Sequence, residues 1–465
     1  MKRYIYIIVT VLFLGSCSKD IDEPTPPSED PTEELSAESP VNRWIYNTMK
    51  TEYYWASDIP VESSLSFGIE PDRFFLSLLS NSDGKHDNGR DFYYSSIQKK
   101  NSTRDGGIEA SYGLVNPCFY SYANTDNLHM QVQYVAPGSP AEAAGIKRGD
   151  IFSKFNGVHI TKNNYITFYE STSITSLTRV KVDPATLIVT SQEEVPIPPA
   201  GNIYVDPFYK HTVLTIDNTI KIAYLMYGSF NPGYTPKMRN VFNQFKSNQV
   251  DALILDLRLN SGGYLSCVQQ LATMLAPASA LNGNLFYLQY RDGRKEPYGF
   301  MDVEKQYNLN LKKIYIIVSG VTVSSAELLI NCLKPYMNNN LVIIGTTTEG
   351  KNVASQEFAG TGDSAGWMIY PIIGKLFNSE GKSDYENGFT PLNNHKVDEY
   401  NRYNNRYAKW YEFGDPQEYL LKNVISVITT GSVEDISGTR SELFIKDEII
   451  IPKKESPIII DSIQE

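Results

Sequence analysis

Apolar residues fall along this chain in three rhythms. From Val41 to Trp55, Ile45, Met49 and Tyr53 recur at i, i+4 and i+8 with Trp44 alongside, which marks one face of a helix. Arg73–Leu79 (RFFLSLL) predicts a second helix, and a loop rich in Asn, Asp and Gly follows from Asn81 to Asp91. Near residue 107 the rhythm shortens: Tyr112-Gly113-Leu114-Val115 opens a strand, and Met130–Val135 alternates with period two. Pro137–Asp150 then reads as a turn and a helix of one to two turns, capped by Ser139, with Pro140 at its first position and Gly145 at its end. Ile151, Phe155 and Val158 follow as a strand with a tight turn around Asn156-Gly157. Beyond Lys221 unbroken apolar runs alternate with helical stretches. Lys221–Phe230, Asp251–Leu257 (DALILDL), Lys313–Val318 (KIYIIV) and Leu341–Ile344 predict strands, and Met238–Phe245, Tyr264–Leu275 and Ser325–Tyr336 predict helices. That alternation predicts an α/β unit whose strands are buried on both faces.

The two ends of the chain fit none of these rhythms. Lys2 and Arg3 precede an apolar run, Tyr4–Leu14, too short to span a bilayer comfortably, which ends in Leu14-Gly15-Ser16-Cys17. This resembles the bacterial lipobox and implies that Cys17 is lipidated and becomes the new N-terminus. Ser18–Pro40 holds eight acidic residues and five prolines with almost no large apolar side chains, so it reads as a flexible tether. Its acidic residues resemble surface-export signals of Bacteroides-type lipoproteins, with Lys19 interrupting the run. The expected location is therefore the outer membrane, on its periplasmic or cell-surface side. After Gly431 the chain is charged with short apolar runs, and no element is assigned there.

Composition narrows the function classes. A length of 465 residues predicts two to four domains, and 41% hydrophobic content suffices for a sizeable core. A net charge of -11 repels phosphate backbones and argues against a nucleic-acid partner. Cys118, Cys267 and Cys332 are far apart and odd in number, which predicts buried free thiols and not a disulfide framework. The five histidines are scattered and no HExxH or Cys/His cluster occurs, so neither a metal site nor another cofactor is expected.

Candidate chemistry gathers in three segments, each placed where a predicted strand of the α/β unit gives way to a loop. Ligand sites of such sheets collect at strand carboxyl ends. Asp256-Leu-Arg-Leu-Asn-Ser-Gly-Gly263 ends in two glycines that permit positive φ and close backbone approach. Val323-Ser324-Ser325-Ala326-Glu327 puts a hydroxyl at a helix start, beside a free amide that can donate to an oxyanion. Taken alone, Ser324 reads rather as an N-cap, with Glu327 completing an S-x-x-E capping box. Gly345-Thr346-Thr347-Thr348-Glu349-Gly350-Lys351 superficially looks like a phosphate loop, but Asn352 stands where that motif needs Ser or Thr.

Together, the DLR-x-N-x-GG turn, the S-x-[SA]-E segment and the G-x-x-T-x-GK segment resemble the carboxy-terminal processing, or tail-specific, serine proteases. The GSPAEAAGIKRGD stretch at residues 138–150 resembles a PDZ domain. The resemblance covers about residues 41 to 430. It implies an α/β multidomain fold: a lipoprotein leader over 1–17, a tether over 18–40 and a small helical N-terminal domain over 41–106. A β-rich PDZ-like domain over 107–193, a ClpP/crotonase-like protease domain over 194–430 and a tail over 431–465 complete it. Carried over by position, it implies Ser324 as nucleophile and Lys351 as general base. Ser325 N–H with an amide of Gly262 or Gly263 would form the oxyanion hole, and Glu327 and Thr348 would support the site. Tyr112, Gly113, Leu114 and Val115 would form the PDZ carboxylate-binding loop. Some members of the family carry an Asp eleven residues after the nucleophile, where this chain has Pro335, so the site reads as a Ser/Lys dyad. The interval from Ser324 to Lys351 is slightly long, with Asn338–Asn340 as the insertion. No His lies in the three segments. A Ser hydroxyl needs a base, and a lysine serves only when neutral, which burial favours. The expected partners are protein or peptide substrates and, through the lipid anchor, a membrane. The competing readings are a non-catalytic peptide-binding lipoprotein and a crotonase-like acyl-transfer enzyme acting on a small molecule.

Overall fold

A computed structural model of the chain describes residues 38–86, 91–99, 109–121, 125–183, 186, 188–400, 409–434 and 449–450. Cys17 and nearly all of the predicted leader and tether lie outside the described residues. Among the described residues, no helix is long and apolar enough to cross a membrane.

The α/β unit is built on five strands in the order Phe208–Ile216, Ile220–Tyr227, Ala252–Asp256, Ile314–Val318, Leu341–Gly345. The first pair is antiparallel and the others run parallel. Strand alternation divides the side chains between two cores. Ala223, Leu225, Tyr227, Leu253, Leu255, Ile314, Ile316 and Val318 face one layer with Phe242, Leu271 and Leu329 from three helices, Thr235–Ser247, Leu265–Leu275 and Ser325–Met337. Ile222, Tyr224, Met226, Ile254, Tyr315 and Ile317 face the other, with Leu421 and Val424 of the helix Tyr419–Thr430. Burial on both faces explains why the central strands Ile220–Tyr227, Ala252–Asp256 and Ile314–Val318 lack polar alternation, whereas the edge strand Phe208–Ile216 carries polar residues.

Pro335 stands inside the Ser325–Met337 helix and has no N–H for the Asn331 carbonyl. Asn378 Nδ2 supplies the missing donor at 3.2 Å. A second, antiparallel sheet orders Lys295–Gly299, Asn284–Tyr290, Ile372–Asn378 and Val353–Ser355.

The PDZ-like unit is a sheet in the order Val189–Pro196, Ser176–Val182, Ile151–Phe155, Leu128–Gln131, Cys118–Ser121. The Pro140–Ala143 helix is capped as predicted, Ser139 Oγ accepting from Glu142 N–H at 3.2 Å. Asn156 and Gly157 form the tight turn with φ of 47° and 77°. The predicted run Met130–Val135 divides into Leu128–Gln131, paired with Cys118–Ser121, and Tyr134–Val135, paired with Leu114–Val115. Ile449–Ile450 from the chain's C-terminal region pairs antiparallel with Cys118–Ser121 and ends the sheet on that side.

The N-terminal helices run Pro40–Glu52 and Pro71–Leu76. Their core is shared with the α/β unit: Ile45, Met49, Tyr53, Phe74 and Phe75 pack with Val353, Ile369 and Ile372.

Candidate active site

Parallel register brings the three motif segments to one edge of the sheet. Asp256 lies beside Ile317, and Val318 lies beside Gly345, so all three loops leave from the same carboxyl end. Hydrogen bonds tie the first loop to the second. Ser319 Oγ donates to Arg258 O at 2.6 Å, Thr322 Oγ1 to Leu257 O at 2.8 Å, Val323 N–H to Asn260 O at 3.1 Å and Ser325 Oγ to Gly263 O at 2.6 Å. Glu349 N–H reaches Thr322 O at 3.2 Å and joins the third.

Ser324 occupies a sparsely populated backbone state, φ 70° and ψ -122°, just before the Ser325–Met337 helix. Such a conformation in a non-glycine residue costs about 1–3 kcal/mol and persists where its surroundings fix it. The residue is fully buried, and its Oγ hydrogen-bonds to no described group. Of the capping box, only the Glu327 half is made, Oε2 accepting Ser324 N–H at 2.9 Å. The cap uses the serine's amide, and the hydroxyl stays unspent. A Cβ on Gly262 would lie 2.7 Å from Ser324 Oγ and 3.1 Å from Ser325 N, at a φ of 104° that already favours glycine. Bare backbone therefore closes over the hydroxyl.

Glu327 joins the nucleophile segment to the lysine segment. Its Oε1 accepts from Thr348 Oγ1 at 2.5 Å and Gly350 N–H at 2.6 Å, and its Oε2 accepts from Lys351 N–H at 2.8 Å as well as from Ser324. Burial pushes this carboxyl up to about 7, while the four hydrogen bonds pull the other way. Thr348 Oγ1 also accepts Phe389 N–H at 2.8 Å. Lys351 is 2% exposed, and its Nζ stands 4.9 Å from the ring centroid of Tyr94.

The amides expected to face an oxyanion differ in availability. Gly262 N–H donates to Asn260 Oδ1 at 2.8 Å. Gly263 and Ser325 N–H donate to no described group, the latter because it opens a helix. Of the two glycines, Gly263 thus has the unspent donor. Gly262 serves by lacking a side chain.

The PDZ-loop residues play unequal parts. Tyr112 packs into the core of the PDZ-like unit, and its hydroxyl bridges the backbone of Ile174, donating to O at 2.9 Å and accepting from N–H at 2.6 Å. Gly113 N–H donates to Ser111 Oγ at 3.1 Å, and Leu114–Val115 pair with Tyr134–Val135.

Sequence reasoning overlooked four contributors. Asn260 fixes the glycine turn, donating to Tyr227 O at 2.8 Å and accepting from Gly262; the N of the DLR-x-N motif was visible, but its partner was not. Arg258 anchors a buried ionic cluster, bonding Asp256 at 2.6 Å, Glu418 at 2.7 Å and Glu399 at 3.0 Å. Arg148 of the PDZ-like unit enters the same cluster, 3.1 Å from Glu418 and 3.5 Å from Glu399. Burial pushes Glu418 up, but the adjacent Arg258 and Arg148 outweigh it and hold the carboxyl low. Tyr94 is the fourth, and nothing local in the sequence marks it.

Cys118, Cys267 and Cys332 are buried, and no disulfide joins any two of them. Among the described residues, no group of three His, Cys, Asp or Glu side chains is placed to hold a metal.

Comparison with known proteins agrees with this geometry. Residues 221–392 match peptidase family S41, residues 40–96 match the peptidase S41 N-terminal domain, and residues 131–169 match a PDZ domain. The carboxy-terminal processing protease CtpA of Bacillus subtilis is 25% identical over 269 residues, 56% of this chain and 52% of that protein. The chloroplastic carboxyl-terminal-processing peptidase 2 of Arabidopsis thaliana is 25% identical over 232 residues, 48% of this chain and 42% of that protein. The match thus spans about half the length of these curated relatives. A Bacteroides fragilis protein solved as a candidate S41 protease superposes with a TM-score of 0.67 at 29% identity, over 83% of this chain and 97% of that one. With its sheet edge, its PDZ unit and its N-terminal unit all matched, the chain belongs to peptidase family S41.

Proposed function

We propose that this chain is a serine peptidase in which Ser324 is the nucleophile and Lys351 the general base. One observation carries the reading: a buried serine hydroxyl without a hydrogen-bond partner among the described residues, at positive φ on a helix start, tied through Glu327 to the segment that bears a buried lysine.

The chemistry follows from these groups. Neutral Lys351 takes the Ser324 proton as Oγ attacks the scissile carbonyl carbon, and the carbonyl electrons move onto oxygen. Ser325 N–H and Gly263 N–H receive that oxyanion; such donors each contribute a factor of about 100 to 1,000 in rate. The lysine proton passes to the departing amine, and the C–N bond breaks to leave an acyl-serine. Lys351 then deprotonates water, which adds to the ester, and collapse releases the acid and restores the serine. Glu327 holds both segments by their backbones and takes no proton in these steps.

The substrates on this reading are envelope or secreted proteins presented by their C-terminal tails to the PDZ-like unit, where a peptide adds a strand to a sheet edge. The outer edge of Cys118–Ser121 is paired by the chain's own Ile449–Ile450, so a substrate strand entering there displaces them. Lipidation at Cys17 would tether the enzyme to the outer membrane; palmitate incorporation lost in Cys17→Ala tests the anchor, and label retained in that variant refutes it.

A fluorophosphonate probe tests the site without a known substrate. Ser324 is expected to label, and both Ser324→Ala and Lys351→Arg to abolish labelling while the fold persists, since a guanidinium stays protonated at any usable pH. EDTA is expected to leave the rate unchanged. A folded Lys351→Arg protein that labels at the wild-type rate refutes the dyad.

A further inference from the structure

We infer that the N-terminal domain completes the active site, the Tyr94 ring face holding the Lys351 ammonium as it forms. This rests on the assignment of Lys351 as base. Tyr94 is 8% exposed, and Lys351 Nζ lies 4.9 Å from its ring centroid, inside the roughly 6 Å at which an aromatic face attracts a cation. Attraction between ring and ammonium is strongest where water is excluded, and Lys351 is 2% exposed.

The ring is held in place by its own domain and by the strands that follow the lysine. Asp83 Oδ1 accepts Tyr94 N–H at 3.0 Å and Ser95 N–H at 3.1 Å, while Asp83 Oδ2 accepts Tyr53 OH at 2.9 Å. Ser95 Oγ accepts Ile372 N–H at 2.9 Å, and Tyr54 N–H donates to Ile372 O at 2.7 Å. Ser96–Lys99 then pairs with Trp367–Tyr370. Val353, two residues beyond Lys351, packs with Tyr94 in the core shared by the two units. A ring fixed to this degree adapts little when the charge on Nζ appears.

Function follows from when that charge appears. The lysine is neutral before acylation and becomes an ammonium as it takes the Ser324 proton. The ring quadrupole favours only the second state, so Tyr94 lowers the acylation barrier and raises the pH at which Lys351 becomes a base. Tyr94 is a positioning residue: it acts through Lys351 and touches no substrate. Other titratable groups surround the lysine. Glu327 accepts its backbone N–H, Glu349 and Glu386 adjoin through the Gly350 turn, and burial first, then Glu327, keeps the Tyr385 phenol neutral. These groups are unchanged in the test below, so they do not contribute to a difference between variants.

The test is the pH dependence of Ser324 labelling by a fluorophosphonate in the full chain. Tyr94→Phe keeps the ring and is expected to keep both the plateau rate and the acid limb. Replacing that phenylalanine by mono-, di- and trifluorophenylalanine weakens the quadrupole at nearly constant shape. The limb is expected to move stepwise to lower pH, by about one pH unit over the series, as the plateau falls about 10-fold. Tyr94→Leu is expected to reach the same end point, with folding checked by circular dichroism. A limb that stays in place through the fluorinated series overturns the inference, even if the plateau falls, because packing alone moves no proton equilibrium. Lys351→Arg separates the two claims. If that variant is inactive and the limb is unmoved, only the role of Tyr94 fails. If it labels at the wild-type rate, the base assignment fails and this inference fails with it.

Discussion

Replacing Glu327 by Gln removes one oxygen from a site where four donors converge. The wild-type carboxylate accepts Thr348 Oγ1 and Gly350 N–H on one oxygen, Ser324 and Lys351 N–H on the other. A carboxamide keeps one acceptor oxygen and turns an NH₂ toward the remaining donors. With the NH₂ toward Thr348, the threonine hydroxyl can rotate to accept, but Gly350 N–H is orphaned. With the NH₂ toward Ser324, two backbone donors are orphaned. Each buried unsatisfied donor costs about 1–3 kcal/mol, so the active arrangement loses about 3 kcal/mol, or roughly 100-fold in rate. Global stability responds differently. Glu327 has its folded carboxyl raised from 4.5 to about 7, so the folded state binds the extra proton between these values. Its contribution to stability is therefore fully present below pH 4.5 and falls as pH rises toward 7, by about 3 kcal/mol in all. Gln carries no such penalty, so above pH 7 the variant regains about what its orphaned donors cost. The expected result is a Tm near the wild-type value at pH 8, a flatter Tm between pH 4.5 and 7, and fluorophosphonate labelling slowed about 100-fold. Labelling at the wild-type rate, or a Tm that keeps its wild-type slope with pH, refutes the linking role of Glu327.

Three further outcomes follow from the geometry. Gly262→Ala is expected to abolish labelling, because its Cβ would stand 2.7 Å from Ser324 Oγ at a φ unsuited to alanine; a folded, reactive variant contradicts the closure. Arg148→Ala leaves Glu399 and Glu418 sharing Arg258 in a buried cluster and is expected to cost about 3 kcal/mol in denaturant unfolding, whereas a loss below about 0.5 kcal/mol means that water replaces the guanidinium. Ending the chain at Glu434 removes Ile449–Ile450 from the edge of Cys118–Ser121, and C-terminal peptides are expected to bind more tightly by titration calorimetry; unchanged affinity means that peptides do not enter at that edge.

The chain's own order decided much of this. Apolar runs such as Ala252–Leu255 within DALILDL and Ile314–Val318 within KIYIIV specify strands buried on both faces because no charged residue interrupts them, and the breaks after them mark where loops leave the sheet. The signals of Ser139, Pro140 and Asn156-Gly157 are local, so cap and turn form where the sequence predicts. Ser324, Glu327, Thr348 and Lys351 were legible as one motif through their resemblance to the segments of the tail-specific proteases, and each follows a strand of the same sheet. Other features depend on contacts between distant residues. Whether Ser324 spends its hydroxyl on a helix cap depends on Glu327 taking the amide and on Gly262 closing above it, which only folding brings about. The choice between Gly262 and Gly263 turns on Asn260, whose side chain captures one amide and leaves the other. Tyr94 meets Lys351 only because the N-terminal helices share a core with Val353 and Ile372. Arg148 and Arg258 meet through two glutamates near the other end of the chain. Periodicity and capping are properties of neighbours in sequence, whereas desolvation and charge pairing depend on which distant residues the packed core brings together.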